Sequence, residues 1–284
     1  AKAAGKAQFT IFYPKMHERV VTRLKMETDL RHAIEHGEML LHYQPIISLA
    51  GGSIEGLEAL VRWRHPERGL IPPMEFIPCC EETGLIVPLG FWVLEEGCRQ
   101  LRAWRAQFPE VPLSLSVNLS VRQLTSPNLS SRMGEILRDH DIDPQTIALE
   151  ITESVFIGDS GAATEVLREL KQLGVQLHLD DFGTGYSSLS CLRRLPLDCV
   201  KIDRSFIEGI CERADHRNLV HGIIGLTKTL GLGLIAEGVE TAEQVDMLQS
   251  MDCERAQGYF FSRPVDAASA TAFIRKSRGR VIAA

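Results

Sequence analysis

Acidic and polar side chains interrupt a series of apolar segments in this chain, each close to the point where a segment ends. A carboxylate at the end of a buried segment is costly unless it is paired or bound to a metal ion. Because the pattern recurs in successive segments, we expect these side chains to meet in one functional site. They are Glu58, Asn118, Glu150, Asp180, Asp181, Lys201, Glu237 and Gln257.

The five carboxylates of this set could not all lie together in ionised form without cations between them. The set offers oxygen ligands and no histidine, which favours Mg²⁺ or Mn²⁺ over Zn²⁺. The adjacent acids Asp180 and Asp181 suit two metal ions about 3.5–4 Å apart that share a bridging carboxylate. Lys201 adds positive charge, and the whole arrangement suits a phosphodiester and a metal-activated water.

A purely structural explanation is that these acids cap helices or pair with arginines. Arg62, Arg64 and Arg204 are available for such ion pairs. This explanation serves well for any one acid, but it accounts poorly for the recurrence of the pattern across the whole set. Arg62 could instead reach a phosphate group from the rim of the site.

The apolar segments alternate with segments of helical periodicity, which is typical of an α/β fold. The first two strands, MLLHYQPIIS and IEGLEALVRW, are separated only by LAGGS, in which AGGS is a tight turn. Parallel neighbours need a crossover of about a dozen residues, so these two strands must be antiparallel. The pattern predicts about eight strands in all, which close a TIM-like (β/α)8 barrel with an antiparallel first strand.

Helices are expected between and after the strands. They are predicted over Pro73–Glu82, Pro88–Gln107, Leu129–Asp139, Ala162–Leu173, His216–Leu230, Ala242–Met251 and Ala267–Arg275, with a short one after Tyr186. Before the barrel, residues 18–37 are predicted to form a connecting helix. The barrel itself is expected over residues 38–277, followed by a C-terminal tail over residues 278–284.

Composition narrows the class of partner. The chain has 284 residues and a formal net charge of −6, so bulk positive charge cannot hold it to a nucleic acid polymer or to anionic lipid. No apolar run is long enough to span a membrane, and no signal peptide opens the chain. We expect no direct membrane contact from this segment. Because the first residue is Ala, we expect an excised piece of a longer protein, which an upstream region could anchor to a membrane.

The seven cysteines are odd in number and form no C-x-x-C pair. This usage is typical of reduced, buried thiols in a cytoplasmic protein. A glycine-rich loop, Asp181 to Ser188, follows the adjacent acids directly. It could transmit metal occupancy or dimerisation to the site, or it could be a plain turn in which Gly183 and Gly185 supply positive φ.

Several long motifs in this order resemble one family. From about Leu40 to Ile274, the motifs EAL, EITES, DDFGTGYSS, KIDRSFI, EGVET and AQGYFFSRP are similar to those of EAL domains, the cyclic di-GMP phosphodiesterases. Residues 1–17 resemble the tail of an upstream GGDEF domain. The resemblance implies a TIM-like barrel, two Mg²⁺ or Mn²⁺ ions per active site, and hydrolysis of cyclic di-GMP to linear pGpG in bacterial signalling. Ca²⁺ is expected to inhibit, since its longer and looser coordination misplaces the attacking water.

The resemblance also implies residue roles. Metal ligands are expected at Glu58, Asn118, Glu150, Asp180, Asp181 and Glu237. Catalytic roles are expected for Lys201, which positions the water, for Glu58, for the supporting Gln257, and for Glu153, which holds the glycine-rich loop. Substrate contacts are expected at Gln44, Leu60, Arg62, Asp203 and Glu240.

Two other functions were weighed. An enolase-like proton abstraction would also use acids and a lysine on barrel strands, but it needs a capping domain for which this chain has no room. A non-catalytic receptor that binds cyclic di-GMP and signals through the N-terminal helix is the alternative from a different class. We also expect a homodimer that packs near the loop Phe182–Ser188.

Overall fold

The computed structural model describes residues 14–156, 160–183, 192 and 195–277. Nine strands lie in this part of the chain, and eight of them form a closed barrel. The strands are β1 (Met39–Ser48), β2 (Ile54–His65), β3 (Gly69–Ile71), β4 (Ser114–Asn118), β5 (Ile147–Thr152), β6 (Gln176–Phe182), β7 (Cys199–Ile202), β8 (Gly233–Ala236) and β9 (Arg255–Ala256).

Around the barrel the strand order is β1, β9, β8, β7, β6, β5, β4 and β2, and β2 pairs again with β1. Strand β1 is antiparallel to both of its neighbours, whereas the other barrel pairs are parallel. The short turn after Ser48, closed by its N–H bond to the Ser53 carbonyl at 2.8 Å, leaves no room for a crossover. The predicted TIM-like barrel with an antiparallel first strand is therefore confirmed. Strand β3 lies outside the ring on β2 and was not predicted.

The helices follow the predicted order. They are α1 (Pro14–Glu35), α2 (Pro73–Thr83), α3 (Ile86–Gln107), α4 (Val121–Leu124), α5 (Leu129–Asp139), α6 (Ser160–Gln172), α7 (Arg204–Ile207), α8 (Ala214–Leu230), α9 (Ala242–Ser250) and α10 (Ala267–Ser277). Short 3₁₀ turns lie at Pro144–Thr146 and Glu153–Phe156. None of the described helices is both long and apolar enough to cross a membrane.

Several helix boundaries differ from the sequence prediction, most of them by one or two residues. Helix α1 begins at Pro14 and ends at Glu35, rather than covering residues 18–37. Helix α3 begins at Ile86, before the predicted Pro88, because proline is tolerated in the first turn of a helix. The helix predicted after Tyr186, the tail over residues 278–284 and most of the segment over residues 1–17 lie outside the described residues. The division of the chain into domains stays a prediction.

The alternation of side chains along the barrel strands explains the isolated polar residues. On β5, β6 and β7 the residues Leu149, Leu177 and Val200 are fully buried in the hydrophobic core. Their neighbours in sequence point to the opposite face of the sheet, into the barrel. This places Glu150 and Lys201 inside the barrel, where both are buried. Of the six described cysteines, four are buried, while Cys79 and Cys211 are half-buried, and Cys191 lies outside the described residues.

Trp104 connects α10, the last described helix, to the barrel. Its side chain lies on α3 with 1% exposure, and its ring meets that of Tyr43 on β1 edge to face, with centroids 4.8 Å apart. The indole N–H donates a hydrogen bond of 2.8 Å to Oγ1 of Thr271 on α10. One side chain therefore joins α3, β1 and α10, and it supports the strand that closes the barrel.

Trp104→Ala should lower the free energy of unfolding by roughly 3–5 kcal/mol, because it removes a large buried ring and leaves a cavity. Urea denaturation followed by circular dichroism measures this change. Met74→Ala is the control, since Met74 is 87% exposed and its loss should change stability by less than about 0.5 kcal/mol. Equal losses in the two variants would contradict this account of the packing.

Candidate active site

Lys201 lies at the centre of the predicted polar cluster. Its ammonium nitrogen is 2.6 Å from Oε1 of Glu237 and 2.8 Å from Oε2 of Glu150. Asp180 and Glu58 stand farther away, at 3.4 Å and 3.6 Å. Four strands or strand ends thus bring carboxylates to one cation whose side chain is 1% exposed.

Glu58 is held by two amide groups as well as by Lys201. The side-chain nitrogen of Asn118, on β4, donates to Oε1 of Glu58 at 2.9 Å, and that of Gln257 donates to Oε2 at 2.6 Å. The Gln257 nitrogen also lies 2.9 Å from Oε1 of Gln44 on β1. These contacts fix the orientation of the Glu58 carboxylate. The supporting role expected for Gln257 in catalysis stays a prediction.

Burial governs the charges of this cluster. It raises the pKa of Glu150 well above the usual value, and the neighbouring Glu58 raises it further. Burial also raises the pKa of Glu237, to about 8, against the effect of Lys201. For Glu58 burial acts in the same direction, but Lys201 and the amide hydrogen bonds outweigh it and hold the pKa below normal. Burial opposes the charge on Lys201, yet the surrounding carboxylates hold its pKa well above normal.

Asp180 and Asp181 reach the same side of the sheet through an irregular backbone. Successive residues of a regular strand point to opposite faces. Here Asp181 adopts φ of 55°, in the left-handed region, and the register between β6 and β7 shifts between Leu179 and Phe182. As a result, ligand atoms of Asp180, Asp181 and Glu237 lie within 4.8 Å of one another. The sequence did not predict this backbone feature, although it did predict that both acids would act together.

The donor set fits a hard divalent cation. Oε1 of Glu150 is buried without a hydrogen bond from any described residue, and Oε2 of Glu150 and Oδ1 of Asp180 have the Lys201 ammonium as their one partner among those residues. Buried acceptors of this kind are rare in proteins unless an ion or water completes their environment. Carboxylate and amide oxygens are the ligands that Mg²⁺ and Mn²⁺ prefer. The residues present therefore fit the metal ions that the sequence predicted.

Glu153 connects the cluster to the glycine-rich loop. It begins the 3₁₀ turn after β5, and its Oε1 accepts a hydrogen bond of 2.8 Å from the backbone N–H of Gly183. Gly183 has φ of 100°, and a Cβ there would lie 2.6 Å from the ring of Phe206, so a glycine is needed at this point. The remaining loop residues, 184–188, lie outside the described part of the chain.

Two cavities open beside the carboxylates. The smaller, of about 240 Å³, is lined by Gln44, Leu60 and Glu240 among the predicted substrate contacts. The larger, of about 550 Å³, adjoins Glu58 and Asp181. Its apolar wall comes from α2 and α3 and was not predicted. That wall includes Pro73, Met74, Ile77, Pro78, Ile86, Leu89 and Val93.

Two predicted substrate contacts do not line either cavity. The Arg62 guanidinium donates to the backbone carbonyl of Val61 at 2.8 Å. Asp203 caps α7, since its Oδ1 accepts a hydrogen bond of 3.0 Å from the Ser205 N–H. Sequence reasoning missed Tyr259 instead, whose ring lines the smaller cavity. Its position directly after Gln257 and Gly258 was the available signal.

With this geometry in place, comparison with known proteins defines the class. The EAL domain family matches residues 27–264, and the chain therefore belongs to that family. Among curated relatives, it is 42% identical over 267 residues to PdeR, a cyclic di-GMP phosphodiesterase of Escherichia coli. It is 40% identical over 267 residues to MucR of Pseudomonas aeruginosa, a bifunctional diguanylate cyclase/cyclic di-GMP phosphodiesterase. These alignments cover 94% of this chain but only 40% and 39% of the two relatives.

Solved structures agree with this assignment. The complex of the PaMucR phosphodiesterase with c-di-GMP superimposes with a TM-score of 0.81 at 41% identity, covering 87% of this chain and 99% of that one. The FimX EAL domain of Pseudomonas aeruginosa bound to c-di-GMP gives a TM-score of 0.77 at 26% identity, covering 84% of this chain and 96% of that one. The chain is thus similar to EAL domains that bind cyclic di-GMP. A GGDEF origin for residues 1–17 stays a prediction.

Lys201→Met should destabilise the metal-free protein, because methionine leaves the buried carboxylates without their cation. Removing one partner of a buried ion pair costs roughly 3–5 kcal/mol. Urea denaturation in excess chelator measures the loss. Lys228→Met is the control, since Lys228 meets Asp252 at 3.5 Å on the surface and such pairs contribute about 1 kcal/mol or less.

The loss in Lys201→Met should also grow with pH. The folded-state pKa of Glu237 is about 8, above its ordinary value of 4.5. A folded state that binds more protons than the unfolded chain loses stability as pH rises through the folded pKa. Lys201 lowers the pKa of Glu237, so its removal raises that pKa further and strengthens the effect. The variant should therefore be less stable at about pH 8 than at about pH 5. A loss no greater than that of Lys228→Met at both pH values would contradict the central role of Lys201.

Proposed function

We propose that this chain is a metal-dependent phosphodiesterase that hydrolyses cyclic di-GMP to linear pGpG. The observation that carries the proposal is the set of buried carboxylates around Lys201, which lacks none of the predicted ligands and borders two cavities. The cyclic di-GMP phosphodiesterases among its relatives are consistent with this substrate.

The metal ions would be held by the carboxylates and the amide at the carboxyl ends of the strands. Two Mg²⁺ or Mn²⁺ ions would acidify a water molecule and neutralise charge on the phosphate oxygens. Their ligands would be Glu58, Asn118, Glu150, Asp180, Asp181 and Glu237. The short distances from Lys201 to Glu237 and Glu150 leave the ammonium group at the centre of this set.

The chain's own residues supply orientation and proton handling. Lys201 stays protonated, because the surrounding carboxylates hold its pKa well above normal. It would therefore orient the attacking water as a hydrogen-bond donor. Asn118 and Gln257 hold the Glu58 carboxylate in one orientation through their amide hydrogen bonds. A Glu58 carboxylate held in one orientation would keep the reacting groups aligned for in-line attack on phosphorus.

Substrate contacts follow from the cavity walls. Gln44, Leu60 and Glu240 line the smaller cavity and would meet the dinucleotide there, with Tyr259 offering a ring for stacking against a base. Arg62 and Asp203 would have to approach the ligand from outside the described cavities. A receptor that binds cyclic di-GMP without hydrolysing it is the alternative, and the first experiment below separates the two.

We also propose a homodimer that packs near the loop after Phe182, in a cytoplasmic protein whose residues 1–17 end an upstream GGDEF domain. The hydrogen bond from the Gly183 N–H to Glu153 supports a role for the loop in regulation. Because Glu153 follows Glu150 closely in the chain, a change in the loop conformation would alter the positions of the proposed metal ligands.

Incubation with cyclic di-GMP should yield pGpG in Mg²⁺ or Mn²⁺, and none in excess chelator. Ca²⁺ should support substrate binding with little turnover. Chromatography of the nucleotide products measures the rate, and calorimetry measures binding. Glu58→Ala should abolish turnover and weaken metal binding. Lys201→Ala, assayed with metal present, should keep metal binding and lose about 10²–10⁴ in rate. Tight binding of cyclic di-GMP without turnover in any metal would establish the receptor instead.

Glu153→Ala should slow turnover far more than it weakens substrate binding, because the loop loses its anchor at Gly183. Glu153→Gln is the matched variant, since its amide oxygen can still accept the Gly183 N–H, and it should retain more activity. Steady-state kinetics are compared with melting temperatures for both variants. A lowered melting temperature with near-normal turnover per folded molecule would show that Glu153 only stabilises the 3₁₀ turn.

A further inference from the structure

A third cavity lies at the end of the barrel opposite to the carboxylate cluster. Its volume is about 770 Å³, within the range of small-molecule sites. The residues that begin β2, β4, β6 and β9 line it, namely Ile54, Ser114, Gln176 and Arg255, together with Arg105 near the end of α3. It shares no lining residue with the cavities of the candidate active site.

Two guanidinium groups of this cavity lack charged partners in the described part of the chain. Arg105 donates one hydrogen bond, of 3.3 Å, to Oγ1 of Thr146. Arg255 donates one, of 3.5 Å, to the sulfur of Cys199, which is a weak acceptor. Neither arginine lies within ion-pair distance of a described carboxylate. A guanidinium has five N–H donors, so each of these two groups keeps most of its donors available for hydrogen bonds to an anion.

The barrel strands fix the position of the Arg255 side chain. Arg255 lies two residues before Gln257 on the chain, so both side chains face the barrel interior. Its guanidinium lies against Gly233, where any Cβ would clash with a guanidinium nitrogen. The missing side chain at Gly233 therefore makes room for a cation at this mouth of the barrel.

The remaining walls define what kind of anion would fit. Val111 and Pro112 offer apolar surface to a planar ring, above Leu113, which is buried in the hydrophobic core. Glu55 and Glu110 also line the cavity, and carboxylates accept hydrogen bonds from the N–H edge of a purine. Two cations balanced by two acids disfavour a polyanion and suit one phosphate group attached to a neutral base.

We propose that this cavity is a binding site for a nucleoside monophosphate, with Arg105 and Arg255 holding the phosphate and with Val111 and Pro112 covering the base. The inference stands on the cavity alone and does not depend on the proposed hydrolysis. A bidentate guanidinium–phosphate contact supplies both affinity and orientation.

Isothermal titration of the full chain with GMP tests the proposal, in excess chelator so that metal ions cannot hold the nucleotide at the other end of the barrel. Saturable binding is expected, with guanosine and inorganic phosphate each binding at least about 10-fold more weakly, since each lacks half of the contacts. Arg255→Gln and Arg105→Gln should each weaken GMP by about 10-fold or more, and the double variant should abolish binding.

Arg102→Gln is the matched control, because Arg102 lies on the same helix as Arg105 but does not line the cavity. It should bind GMP like the unchanged chain, as should Glu58→Gln at the opposite end of the barrel. Melting temperatures verify that each variant is folded. The proposal is overturned if GMP fails to bind, if phosphate alone binds equally well, if the double variant keeps its affinity, or if Glu58→Gln abolishes binding.

Discussion

One buried cation organises the functional end of this barrel. Lys201 lies within 3.6 Å of four carboxylates that come from β2, β5, β6 and the segment after β8. Bringing these charges out of water is unfavourable unless they compensate one another. The strands must therefore end in register around Lys201, and the ring must close. Closure depends on β1, which runs antiparallel to both neighbours and brings Gln44 beside Gln257.

The architecture could be predicted from local physical rules. The connection of five residues after the first strand is too short for a parallel pair, and the structure shows the antiparallel pair. Lone polar residues in apolar strands identified the interior of the barrel, because side chains alternate between two faces. Helix ends were less predictable. The pattern indicates a start at Pro88, but α3 begins at Ile86 and contains Pro88 in its first turn. The strand β3 is three residues long and has too little pattern to be recognised.

The site was predictable in its chemistry and less so in its shape. Residue types alone indicated a hard metal and a lysine among acids, and the structure brings those side chains together. The walls of the cavities depend on how α2 and α3 pack against β2, which no local pattern reports. For the same reason the sequence did not indicate that Tyr259 lines a cavity. Asp203 caps α7, and its contact with the ligand stays a prediction.

The backbone at Asp181 limits which residues evolution can place there. A left-handed φ is open to glycine and is tolerated by aspartate and asparagine, whereas bulky or β-branched residues are strained in it. A lineage that replaces Asp181 by asparagine or glycine would discard one acidic oxygen without disturbing the barrel. Loss of this carboxylate is therefore an accessible step in sequence drift, and its product would be a folded domain with the same cavities and one acidic group fewer.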